Sequence, residues 1–112
     1  MNCKVLFVCT ANLQRSPTAE EFFKDWQGAW ETKSAGTDPL PGRTPITQDL
    51  VDWADLIIGM EPEHAEFIKS HFNCPASKLK VLYVEDRYFR NDPELIVELQ
   101  RTVPPILARY LK

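Results

Sequence analysis

The stretch Val5-Leu6-Phe7-Val8-Cys9-Thr10-Ala11-Asn12-Leu13-Gln14-Arg15-Ser16-Pro17 decides the fold. Its first four residues are apolar without alternation, and residues 4–8 read as a strand buried on both faces, as in parallel sheets. A cysteine ends the run, five residues follow, and Arg15-Ser16-Pro17 opens a helical stretch. A parallel strand feeding a tight loop at a helix N-terminus presents backbone amides to an anion. A thiolate is stabilised by the same amides, and a guanidinium six residues on can grip a phosphate in bidentate fashion. Nucleophile, phosphate cradle and charge clamp thus fall within residues 9–16.

Outward from this stretch, strands and helices alternate. Pro17 is expected at the first helical position, with Glu20 and Glu21 in the opening turn, Phe22, Phe23 and Trp26 toward the core, and Gly28 closing the helix. Trp30 to Ala35 reads as a second strand closed by Gly36, and residues 38–45, with three prolines and a glycine, as a loop. Thr47 is an N-cap candidate for a short helix through Trp53. Leu56 to Met60 reads as the third strand, Glu61 to Phe72 as a helix with Pro62 in its first turn, and Val81 to Val84 as the fourth strand. Asp92-Pro93-Glu94 opens the last helix, with Leu95, Ile96, Leu99 and Val103 facing inward. Pro104-Pro105 should interrupt or kink it, because two successive residues lack an amide hydrogen. The pattern implies one α/β domain over residues 1–112, a four-stranded parallel sheet flanked by helices. Ligands bind beyond the C-terminal ends of such strands. Cys9, Thr37, Met60 and Asp86 follow strands one to four, so they gather on one edge.

The bulk properties exclude several classes. The 112 residues carry 44% hydrophobic and 26% charged side chains, as in an ordinary globular domain, and a net charge of −3 argues against a general nucleic-acid binder. No apolar run approaches the roughly 18 residues that span a bilayer. Cys3 and Cys9 are about 20 Å apart on one extended segment, beyond disulfide reach. Neither His64 nor His71 has cysteine or carboxylate partners at zinc-like spacing, and no metal or cofactor is expected. A reduced cytoplasmic protein is the expectation.

Cys9-x5-Arg15-Ser16-Pro17-x-Ala19-Glu20 resembles the signature of the low-molecular-weight protein tyrosine phosphatases. Ser34-Ala35-Gly36-Thr37 is similar to that family's second motif, Trp53 to Met60 to its third strand region, and Val84 to Tyr88 to a degenerate form of its Asp-Pro-Tyr acid loop. The resemblance implies the phosphotyrosine protein phosphatase I-like fold and two-step phosphoryl transfer without a metal. Cys9 would be the nucleophile. The amides of Thr10, Ala11, Asn12, Leu13, Gln14 and Arg15, with the Arg15 guanidinium, would hold the anion, and Ser16 would hydrogen-bond the sulfur. Asn12 would hold the loop through Ser34. Asp86 would be the general acid and base, and Tyr88, with Phe89, would line the ring-binding wall. Asp92 is the other acid candidate, although Asp92-Pro93 is equally a helix start. The implied substrate is a phosphorylated protein or small aryl phosphate, with Leu13 favouring an aromatic ring over a guanidinium.

The chain departs from the family at four points. Ala11 stands where glycine is usual, and the expectation is an altered loop backbone or a tightened phosphate site. Gln14 replaces a second loop cysteine, which implies sensitivity to peroxide. The stretch from Thr37 to Thr47 is short and lacks a wall aromatic, and the acid loop is compressed. An open cleft, or one completed by a partner, is expected. Two other readings stay open: a phosphate- or phosphoprotein-binding module without turnover, and a thiol redox enzyme of the arsenate reductase type using Cys74.

Overall fold

The computed structural model describes residues 3–24, 26 and 30–110. These residues form β1 (Cys3–Cys9), α1 (Arg15–Phe23), β2 (Trp30–Gly36), α2 (Gln48–Trp53), β3 (Leu56–Gly59), α3 (Pro62–His71), β4 (Leu79–Val81) and α4 (Pro93–Tyr110). The sheet has the order β2-β1-β3-β4, and each neighbouring pair is parallel. β1 is central and apolar because helices cover both of its faces. Val5, Phe7 and Cys9 share a core with Phe23 of α1 and with Leu95, Leu99, Val103 and Leu107 of α4. Leu6 and Val8 point the other way, toward Val51 of α2 and Ile68 of α3. Phe7 stacks on Phe23 at 5.9 Å, and Trp26 meets the Phe23 edge at 5.0 Å. Burying each such large side chain contributes roughly 1.5–3 kcal/mol. Among the described residues no helix is long and apolar enough to cross a membrane.

Four boundaries differ from expectation. α1 starts at Arg15, two residues before Pro17, and Glu20 and Glu21 therefore lie beyond its first turn. Pro17 is tolerated as third helical residue because first-turn amides have no intrahelical acceptor. α1 ends at Phe23, and Gly28 lies outside the described residues. β4 is Leu79–Val81 rather than residues 81–84, and a 3-10 turn, Ala76–Lys78, leads into it. The chain still follows β3 beyond the strand: the Leu82 amide donates to Gly59 O at 3.0 Å and the Val84 amide to Met60 O at 2.7 Å. Between them Tyr83 takes a left-handed φ of 63° that ends the regular ladder. Finally, α4 runs through Pro104 and Pro105. Both prolines lie off the buried stripe of Leu95, Leu99, Val103 and Leu107, whose packing holds the helix on either side of them.

Candidate active site

The C-terminal end of β1 places Cys9 where the sheet meets the N-terminus of α1. Its thiol is 2% exposed, and its Sγ lies 2.9 Å from Ser16 Oγ on the first turn of α1. Asn12 Nδ2 donates to the same hydroxyl at 3.1 Å. The Ser16 hydrogen can then go to sulfur at 2.9 Å or to Ala35 O at 3.4 Å, and the shorter path stabilises a thiolate.

The loop between Cys9 and Arg15 turns at Asn12, which is 1% exposed with φ 54°, a conformation asparagine tolerates. Its second Nδ2 hydrogen goes to Ser34 Oγ at 3.0 Å, and Ser34 donates to Glu20 Oε1 at 2.5 Å. Ala11 keeps a negative φ, so its methyl forces no change of backbone class; the left-handed residue is the next one. Thr10, Ala11 and Gln14 are half-buried, and Leu13 is 38% exposed at the loop's outer edge.

The short segment 37–46 does not leave the loop open. The amides of Thr37, Asp38 and Leu40 donate to the carbonyls of Cys9, Thr10 and Ala11 at 3.0, 2.9 and 3.3 Å. Arg43 Nε donates to Asn12 O at 2.7 Å, and the Thr44 amide to Asn12 Oδ1 at 3.0 Å. Gly36 allows this approach, since a Cβ there would lie 2.5 Å from Thr10 O and 2.9 Å from Asn12 N.

Arg15 is 2% exposed. Its Nη1 donates to Glu61 Oε1 at 2.5 Å and to Val84 O at 2.8 Å, while its Nε faces Asp86 Oδ1 at 3.7 Å. Nη1 is held by hydrogen bonds while Nε meets Asp86 only at ion-pair distance, so the Nε–Nη2 edge, suited to a bidentate grip on an anion, is bordered by that carboxylate. Asp86 itself is 63% exposed. Asp92 is engaged elsewhere: its Oδ1 accepts the Glu94 amide at 2.9 Å, capping α4. Tyr88 does not stand on the site wall. It is 5% exposed within the α1–α4 core, its hydroxyl accepts from Arg87 Nη2 at 2.8 Å, and the Arg87 guanidinium covers its ring. An apolar ring beside the start of α4 gains more by burial than by exposure. Phe89, 74% exposed, is the outward aromatic of the segment that follows Asp86.

Sequence reasoning passed over Glu61 and His64. Glu61 directly follows Met60 at the sheet edge where ligands bind, which was the available signal. His64, 1% exposed, accepts the Glu61 amide on Nδ1 at 3.0 Å, and its Nε2 lies 2.9 Å from Thr10 Oγ1. Burial first, and then the Arg15 charge, push its pKa down to about 4, with Glu61 and Asp86 opposing. Contrary to the spacing argument, His64 does have carboxylate neighbours: ligand atoms of Glu61, Glu63 and His64 lie within 4.8 Å of one another. Both ring nitrogens are already hydrogen-bonded, so the group is not poised for a metal. Cys74 lies beyond the far end of α3, about 15 Å of helix from Glu61. Its Sγ contacts Pro75 O at 3.6 Å, in the connection between α3 and β4, at the opposite end of the strands from Cys9.

Comparison with known proteins agrees with this geometry. A family profile described as low molecular weight phosphotyrosine protein phosphatase matches residues 4–46. The chain is 30% identical over 103 residues to a protein-arginine-phosphatase of Bacillus subtilis, covering 70% of this chain and 69% of that protein. It is 32% identical over 89 residues to the low molecular weight protein-tyrosine-phosphatase PtpB of Staphylococcus aureus, covering 62% of this chain and 64% of PtpB. The fold is that of a YwlE mutant from Bacillus subtilis, with a TM-score of 0.79, 23% identity, and coverage of 99% of this chain and 100% of that one.

Proposed function

The chain belongs to the low-molecular-weight phosphotyrosine protein phosphatase family of cysteine-dependent phosphatases, and from that premise we propose that it hydrolyses phosphotyrosine or other aryl phosphates. The observation that carries the reading is Ser16 Oγ at 2.9 Å from Cys9 Sγ, with a buried Arg15 at the end of the same loop, clamped by Nη1 and with Asp86 3.7 Å from its Nε.

In the first step the Cys9 thiolate attacks phosphorus in line and the bond to the leaving oxygen breaks. The Asp86 carboxyl gives that oxygen its proton. The loop amides and Arg15 stabilise charge on the three equatorial oxygens, which is most of what phosphoryl transfer requires, so no metal is invoked. In the second step Asp86, now a carboxylate, takes a proton from water as its oxygen attacks the cysteinyl phosphate. Inorganic phosphate leaves and the thiolate is restored. The free thiols Cys3, Cys9 and Cys74 suit a reducing compartment such as the cytoplasm.

Three of the large apolar side chains that stay exposed, Leu13, Leu40 and Phe89, stand on the phosphate loop, the segment behind it and the acid loop. Apolar surface on the segments that border the nucleophile favours an aromatic leaving group over a guanidinium. The test is a pair of peptides differing only in phosphotyrosine or phosphoarginine. The expected result is a kcat/KM at least about tenfold higher for phosphotyrosine, abolished in both by Cys9→Ser. A preference for phosphoarginine would reverse the substrate assignment. Phosphate-peptide binding without release of phosphate from the unmodified protein would leave only a binding module.

A further inference from the structure

We propose that His64 is a positioning residue for the phosphate loop, acting through Thr10, so that the first turn of α3 holds the loop at both ends. The proposal rests on the phosphatase reading above and adds a second grip to the Arg15 clamp. Nδ1 of His64 accepts the Glu61 amide at 3.0 Å. In a neutral imidazole an accepting Nδ1 puts the ring hydrogen on Nε2. Nε2 is therefore the donor to Thr10 Oγ1 at 2.9 Å, and the Thr10 hydroxyl hydrogen is left for another acceptor. Three residues earlier on the same turn, the Glu61 carboxylate takes Arg15 Nη1 at 2.5 Å.

Thr10 and Arg15 are the first and last residues between the nucleophile and Ser16, so the two links fix the span of the loop. Thr10 is pinned from the opposite side as well, its carbonyl accepting the Asp38 amide at 2.9 Å. A histidine that only capped α3 would need Nδ1 alone; the Nε2 link joins residues 54 apart and ends on the loop itself. Its seat is specific: a Cβ at Gly59 would lie 3.2 Å from His64 Cβ. Because anion-holding amides must be placed to within about 0.5 Å, release of Thr10 should misdirect the amides next to Cys9.

Two substitutions separate the cap from the link. His64→Asn can keep an acceptor for the Glu61 amide but is too short to reach Thr10. His64→Gln can keep a donor near the Nε2 position and loses the cap. Thr10→Val removes the acceptor. The readouts are inorganic phosphate Kd by calorimetry and kcat and KM for p-nitrophenyl phosphate, with the unfolding midpoint as control. The expected result is about a tenfold weaker phosphate Kd and about a tenfold lower kcat/KM for His64→Asn and for Thr10→Val, the value of one positioned hydrogen bond. The double variant should be no worse than either single. His64→Gln should recover most of the phosphate affinity even with a lowered unfolding midpoint.

Wild-type phosphate affinity and turnover in Thr10→Val, or losses that multiply in the double variant, would overturn the proposal. If His64→Asn does not fold, Thr10→Val decides alone by the same criterion. A wild-type protein that neither binds nor releases phosphate sinks the phosphatase reading instead, and the two failures are thereby told apart.

Discussion

Two loops flank the Cys9 sulfur and are built in opposite ways. The phosphate loop is held on every side. Its carbonyls accept the amides of Thr37, Asp38 and Leu40, Asn12 bonds Ser16, Ser34 and Thr44, and Arg15 is clamped by Glu61 and Val84. The acid loop is open. From Glu85 to Asn91 only Tyr88 is buried. It is tied down by Tyr88 in the core, by the Asn91 amide on Thr18 Oγ1 at 2.9 Å, and by the Arg90–Glu21 ion pair. The division fits the mechanism proposed above. Amides that stabilise a transition state must be in place before the anion arrives. The acid has only to reach one leaving oxygen, and its loop has to admit the substrate.

The comparison can be broken most forcefully at the clamp. Arg15→Lys keeps a charge but loses the planar fork held by Glu61 and Val84, and kcat/KM for p-nitrophenyl phosphate should fall about 10³-fold. A loss smaller than tenfold would mean that the held guanidinium is not what grips the anion. The acid loop should respond less, and in a way that depends on the substrate. Asp86→Asn should lower turnover of phenyl phosphate about 10²-fold and that of p-nitrophenyl phosphate much less, since the better leaving group needs less protonation. Asp92→Ala should leave turnover nearly unchanged and cost about 1 kcal/mol of stability, the worth of a helix cap. The opposite pattern in steady-state kinetics and denaturant unfolding would move the acid to Asp92.

A stability effect that leaves catalysis aside is expected on the acid side of the pH range. His64 titrates near 6.5 when unfolded and near 4 in the fold, where burial and the Arg15 charge keep it neutral against Glu61 and Asp86. Between those values the unfolded chain binds the extra proton. Its contribution is therefore complete above about pH 6.5 and is lost as pH falls toward 4, by about 3 kcal/mol at most. Denaturant unfolding at pH 7 and pH 4.5 should show wild type losing more stability than His64→Gln. Equal losses in the two would place the acid sensitivity in another group.

Much of this protein was legible in the chain. The succession of strand, loop and helix around Cys9 is read from local apolar pattern and spacing, though not the limits of the helix, because contacts over so few residues leave the backbone little choice. The Thr47 cap and the Asp92 cap are likewise local, each made to an amide two or three residues on. The stripe of Leu95, Leu99 and Val103 is written in its helical period, although the passage of α4 through two prolines depends on what packs around them. The shift of β4 was not legible, since its limit is set by the register with β3 and by the left-handed turn at Tyr83. Tyr88 was misplaced for a related reason: an aromatic residue in a loop can face solvent, ligand or core, and only the position of α4 chooses.

The sequence by itself determined that a thiol, an amide-rich turn and a guanidinium lie together at the end of a buried parallel strand, because all three belong to one continuous segment. The tertiary structure alone decided what holds them there. Glu61 reaches Arg15 across 46 residues, His64 reaches Thr10 across 54, and Arg43 reaches Asn12 across 31. No local pattern encodes those pairings; they exist because a parallel sheet brings the C-terminal ends of its strands, and the loops that follow them, to one edge.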